Sequence, residues 1–99
     1  MGIMTFFKNI LTGNSVDYKA LIDEGAIVVD VRTKDEFKQG HFRNSKNIPM
    51  NSLPDRINSF EGKTVILVCR SGARAGSARQ MLQAKGITAY NAGAWQNLN

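Results

Sequence analysis

The chain of 99 residues is 42% hydrophobic, with the alternation of apolar and polar stretches ordinary for a soluble globular protein; it is long enough for one domain around one core and too short for a second. Its single cysteine, Cys69, excludes an intrachain disulfide and a thiolate cluster for a metal, and points to a reducing compartment. A net charge of +5 would suit nucleic acid, but the chain has no basic run and no nucleic-acid motif, and no apolar run of about eighteen residues exists to span a bilayer.

Residues 1–14 read as an N-terminal amphipathic helix or extension. Ile3, Phe6, Phe7, Ile10 and Leu11 recur at helical spacing up to Gly13, a pattern that predicts packing on the domain. One lysine in the segment gives little support to membrane docking. The opening Met1 to Lys8 lacks the parts of a secretory signal, and Phe6 stands where a myristoylation motif needs Ser or Thr. The expectation is a cytoplasmic protein with its first residues retained.

Residues 15–99 read as one α/β domain. Ser15 is placed to cap a helix from Val16 to Glu24, with Tyr18, Leu21 and Ile22 inward and Gly25 as its stop. Ala26 to Val31 is a continuous run rich in β-branched residues, as expected of a parallel strand covered on both faces. Lys34 to Gln39 predicts a short helix stopped by Gly40, and Lys46 to Pro49 a short extended piece. Asn51 or Ser52 would cap a helix through Phe60, with Pro54 in its first turn and Gly62 closing it. Met50, Met81, Phe37, Phe42 and Phe60 read as core filling, and Trp95 as a core or site-wall residue.

Thr64 to Val68 is the clearest strand, and it delivers Cys69 at its carboxyl end. After a turn at Gly72, the stripe Ala75, Ala78, Met81 and Leu82 predicts a helix as far as Lys85, ended by Gly86. A last strand, Ile87 to Tyr90, runs into Asn91-Ala92-Gly93-Ala94-Trp95. Helices alternating with buried strands imply a small, mainly parallel sheet flanked by helices.

Charge sharpens the view of Cys69. Residues 1–61 carry eight basic and eight acidic side chains, whereas Lys63, Arg70, Arg74, Arg79 and Lys85 follow with no carboxylate. The whole excess lies around the cysteine and favours an anionic ligand. Ligands of parallel sheets bind beyond the carboxyl ends of the strands, where the loop after Cys69 would curl its amides into an anion-binding nest before a helix N-terminus. Such donors, with Arg70 and Arg74, favour the thiolate and lower its pKa.

These residues carry a resemblance. Asp30-Val31-Arg32 with Glu36-Phe37 and Gly40-His41 is similar to the D-V-R-x-x-x-E-[FY]-x-x-G-H signature of the rhodanese homology domain, and Asn47-Ile48-Pro49 to the N-I-P that follows it. Cys69-Arg70-Ser71-Gly72-Ala73-Arg74 resembles the family's C-R-S-G-x-R active loop, and Asn91 to Trp95 its closing G-G segment with a nearby aromatic. Together they cover about residues 15–98. Ala92 departs from the first Gly of the closing pair, and Ala75 from the Ser or Thr common after the Arg.

The resemblance implies a rhodanese-like domain over residues 15–99 and a thiosulfate sulfurtransferase. In that scheme Cys69 attacks the outer sulfur of a donor such as thiosulfate, sulfite leaves, and the persulfide passes sulfur to cyanide, a small thiol or a protein cysteine. The amides of Arg70, Ser71, Gly72, Ala73 and Arg74 would cradle the persulfide, and the two arginine side chains would attract the donor. No metal or cofactor is implied. Asp30, Arg32 and Glu36 read as a local charge network, and His41 as hydrogen-bonded within its turn.

Two other classes share the logic. A cysteine-dependent phosphatase of this fold would place its Arg six positions after Cys; here position 75 is Ala and Arg74 comes five after, a tighter loop that suits sulfur. Arsenate reduction ranks below that. A non-catalytic interaction or sulfur-carrier module is the remaining alternative.

Overall fold

A computed structural model describes residues 16–99. The helix expected over residues 3–11 and the Ser15 cap lie outside the described residues. Helix α1 (Tyr18–Asp23) begins later than the sequence pattern suggests, because Asp17 supplies the cap: its Oδ1 accepts from the Ala20 N–H at 3.0 Å.

The β-branched run forms β1 (Ile27–Asp30), and Thr33 starts the one-turn helix α2 (Lys34–Lys38) through a capping box with Glu36. After β2 (Lys46–Asn47) the chain makes two 3-10 turns, Leu53–Asp55 and Ile57–Phe60, in place of the expected single helix. Neither Asn51 nor Ser52 caps there. The Arg56 N–H bonds back to the Leu53 carbonyl at 2.8 Å, and the Ser59 hydroxyl occupies the Arg56 carbonyl at 2.6 Å, local bonds that compete with an α-helical ladder. The turns still bury Leu53, Ile57 and Phe60.

Strand β3 (Thr64–Cys69), helix α3 (Ala73–Ala84), β4 (Thr88–Ala94) and a final 3-10 turn (Trp95–Leu98) complete the domain. The sheet order is β2-β1-β3-β4, with every pairing parallel. Strand β4 extends past Tyr90 because pairing with β3 continues across a bulge: Leu67 faces Asn91, Val68 faces Gly93, and Ala92 is the extra residue.

Period-two alternation sends the central strands' side chains to two apolar layers. Val29, Val65, Leu67 and Cys69 meet Ala75, Ala78 and Leu82 of α3 and the 3-10 turns on one face. Val28, Ile66, Val68 and Ala92 meet Tyr18, Leu21 and Ile22 of α1, with Phe42, Trp95 and Leu98, on the other. The uninterrupted apolar character of β3 thus reflects a strand buried on both sides. Met50, Met81 and Phe42 pack at the edges of these layers and Phe60 lies within one, but Phe37 does not fill the core. It stacks on His41 at 3.7 Å between ring centroids, because α2 is a single turn with no buried residue.

Candidate active site

Cys69 ends β3 and is buried, with 1% of its surface exposed. Its Sγ accepts from the Gly72 N–H at 2.9 Å and from the Ala75 N–H at 3.5 Å. The turn that aims these amides depends on Gly72, whose φ of +105° lies in the left-handed region and whose Cβ, if present, would sit 3.3 Å from the Gly93 Cα. Gly72 also starts α3, its carbonyl accepting from the Gly76 N–H at 2.9 Å.

Burial pushes the Cys69 thiol up, and the amides of Ala75, Gly72, Ser71 and Arg74 outweigh it, bringing the group below the ordinary value of 9.0. The dipole of a twelve-residue helix pointing its N-terminus at the sulfur acts in the same direction. Ala75, which stands where a hydroxyl is common, is fully buried against the core and contributes its N–H to the sulfur.

The loop's side chains divide. Arg70, Ser71 and Ala73 are exposed, and Arg70 borders an open polar cleft shared with Arg32, Glu36 and Trp95. Arg74 is instead engaged: Nη1 and Nη2 donate to Oε1 and Oε2 of Glu36 at 2.7 and 3.0 Å. Glu36 Oε1 also accepts from the Thr33 N–H and hydroxyl. The Arg74 guanidinium, with the Thr33 amide, holds the Glu36 carboxyl down at about 2.

The neighbouring loop is tied by a buried pair. Arg32 Nε donates to both Asp30 oxygens at 2.9 and 3.0 Å and Nη2 to Oδ2 at 2.7 Å. The rest of the guanidinium donates to the Glu36 and Gly40 carbonyls and lies 5.3 Å from the centre of the Trp95 ring. Glu36 therefore joins the Asp30–Arg32 network through its main-chain carbonyl, while its carboxylate reaches the reactive loop. His41 Nδ1 donates to the Phe37 carbonyl at 2.8 Å, the turn-fixing role expected of it.

The closing segment holds one residue to which the sequence assigned no separate role. Asn91 touches both Gly72 and Gly93, and an Asn-x-Gly after a strand was its only signal. Ala92, by contrast, turns its side chain to the opposite apolar layer.

A thiolate favoured by main-chain donors, at the carboxyl end of a central parallel strand, defines a cysteine-centred α/β domain. The chain belongs to the rhodanese-like domain family, whose model matches residues 15–97. It is 34% identical over 73 residues to a tRNA sulfurtransferase of Thermoplasma acidophilum, covering 73% of this chain and 15% of that protein. It is 31% identical over 86 residues to a thiosulfate sulfurtransferase of Pseudomonas syringae, covering 86% and 78%. The crystal structure of a rhodanese-like domain protein from Staphylococcus aureus superposes with a TM-score of 0.72 at 34% identity, covering 84% of this chain and 85% of that one. Several curated relatives are longer, and the chain spans from 15% to 51% of their lengths. Among the described residues no helix is long and apolar enough to cross a membrane, and no group of three or more His, Cys, Asp or Glu is placed to hold a metal.

Proposed function

We propose that this chain is a sulfurtransferase that carries sulfane sulfur as a persulfide on Cys69, from an anionic donor such as thiosulfate to a thiol or protein-cysteine acceptor. The observation that carries the reading is the pair of N–H donors, Gly72 and Ala75, on the Cys69 sulfur. In the first step the thiolate attacks the outer sulfur of thiosulfate, a new S–S bond forms, and the donor's S–S bond breaks with its electron pair leaving on sulfite. The negative charge then sits on the outer persulfide sulfur, where further loop amides stabilise it. In the second step the acceptor attacks that sulfur and the Cys69 thiolate leaves.

Neither step needs a general acid, which agrees with a loop of amides and cations. With 1% exposure at Cys69, a donor must present a single protruding sulfur atom to the loop, a shape thiosulfate has. One free thiol and no disulfide among the described residues fit a reducing, cytoplasmic setting. A phosphatase reading is disfavoured because the position six after Cys69 is Ala75, and the nearest loop guanidinium, Arg74, is already bound to Glu36.

The test is incubation of the purified protein with thiosulfate and cyanide, beside Cys69→Ser. Thiocyanate with multiple turnovers, lost in Cys69→Ser, supports the reading. One added sulfur on Cys69 without turnover identifies a carrier module, and neither product with release of phosphate from an aryl phosphate would overturn it.

A further inference from the structure

The Asn91 side chain joins the closing segment to the reactive loop. Its Nδ2 donates to the Gly72 carbonyl at 3.0 Å, and its Oδ1 accepts from the Gly93 N–H at 2.9 Å. Because a carbonyl only accepts and an N–H only donates, these partners fix which way the amide faces. From the other side, the Tyr18 hydroxyl donates to the Asn91 carbonyl at 3.2 Å.

The surroundings are shaped around this amide. A Cβ at Gly76 would lie 3.3 Å from Asn91 Nδ2, so α3 carries glycine in its first turns although alanine is the better helix former. A Cβ at Gly72 would also reach within 3.9 Å of the same amide. The bulge at Ala92 supplies the rest, since the extra residue lets the Gly93 N–H turn back onto Asn91 Oδ1 two positions earlier.

Gly72 is the residue with the least conformational restraint of its own, and it sets the direction of the shorter N–H bond to sulfur. The bond from Asn91 to its carbonyl comes from outside the loop and its helix. We infer that Asn91 is a positioning residue for Cys69: by holding the Gly72 carbonyl it fixes the left-handed turn whose N–H donates to Sγ. This rests on Cys69 being the reacting thiolate, and it adds a residue through which the fold tunes that sulfur.

The experiment is a pH titration of the Cys69 thiolate by ultraviolet absorbance in the full chain, which needs no transferred sulfur. Asn91→Ala raises the apparent pKa by about one unit, the effect of weakening one amide donor to a charged sulfur. Asn91→Ser is the milder variant: its hydroxyl still accepts from the Gly93 N–H but falls short of Gly72, and the same direction of shift is expected. The groups that charge the neighbourhood, Arg70, Arg74 with Glu36, and Asp30 with Arg32, are unchanged in both. Asn97→Ala is the control, since it removes a 2.8 Å bond to the Ala92 carbonyl in the same segment without touching Gly72, and it titrates with the wild type. A folded Asn91→Ser protein that titrates like the wild type overturns the inference. The absolute wild-type value answers the separate question: titration at or above 9.0 would overturn the activated thiolate itself.

Discussion

Glu36 and Arg74, 38 positions apart, meet through two hydrogen bonds of 2.7 and 3.0 Å that pin the start of α3, directly after the Cys69 loop, to α2. The contact gives Glu36 two duties at once, since the same carboxylate closes the capping box of α2. It also settles the electrostatics of the site. The Arg74 charge is matched by its partner, whereas Arg70 stands exposed at the mouth of the loop with no ion-pair partner among the described residues.

Thiosulfate recognition should therefore depend more on Arg70 than on Arg74. Arg70→Ala is expected to raise the KM for thiosulfate about fivefold with kcat little changed, the size of an exposed charge interaction with a doubly charged ligand. Arg74→Ala should change KM less and lower the unfolding midpoint, because it frees the loop from Glu36. Steady-state kinetics on both variants, with chemical denaturation alongside, distinguishes the two roles; a larger KM effect at Arg74 would contradict this division.

The same pair makes stability depend on acid. The Glu36 carboxyl is held at about 2 in the folded protein against an ordinary 4.5, so its contribution is fully present above 4.5 and is lost as pH falls through that value towards 2. Glu36→Gln removes this linkage. Denaturation midpoints followed from neutral to about pH 3 should fall less steeply for the variant than for the wild type. Parallel curves would show that Glu36 gains no proton-linked stability from Arg74.

How much of this was legible in the chain follows from range. The buried strands announced themselves because continuous β-branched and apolar runs satisfy both faces of a sheet, and Cys69 with its glycine turn followed directly from β3. The charge network after β1 was half legible: Asp30 and Arg32 are two apart and pair as expected, but the Glu36 carboxylate turns to a partner that no local pattern reveals. Local competition hid other features. Asp17 caps α1 from the position next to the helix start, and the Ser59 hydroxyl diverts the Arg56 carbonyl from an α-helical bond. Asn91 was marked only by its Asn-x-Gly, because its role depends on a bulge and on the empty side of Gly76.

The Asp30–Arg32 pair is buried, with side-chain exposures of 0% and 6%, and the Arg32 guanidinium also donates to the Glu36 and Gly40 carbonyls. Breaking such a pair leaves an uncompensated charge in the interior. Arg32→Met is expected to cost about 3–5 kcal/mol in urea denaturation, while Cys69 in the protein that stays folded keeps its reactivity. Replacement of both residues, Asp30→Leu with Arg32→Met, should recover part of that loss, because no lone charge remains. A single variant as stable as wild type would mean that water, and not the protein, solvates Asp30.

Gly72 offers a test of the loop with an internal reference. Gly25 and Gly72 share a φ of +105°, so alanine at either meets the same left-handed strain, about 1–2 kcal/mol. Their surroundings differ: a Cβ at Gly25 has nothing within 4 Å, whereas one at Gly72 meets the Gly93 backbone at 3.3 Å. Backbone strain and crowding at the loop are thereby separated in one comparison. Gly25→Ala should lower stability by the strain alone and leave sulfur transfer intact, since Gly25 ends α1 far along the chain from the loop. Gly72→Ala adds the contact with Gly93, which can be relieved only by moving the turn, and that movement takes the Gly72 N–H off the sulfur. It should therefore lose more stability than Gly25→Ala and also lose thiocyanate formation, with Cys69 alkylation shifted to higher pH. Equal stability losses accompanied by normal alkylation would mean that the turn tolerates a side chain and that the Gly72 amide is not what activates Cys69.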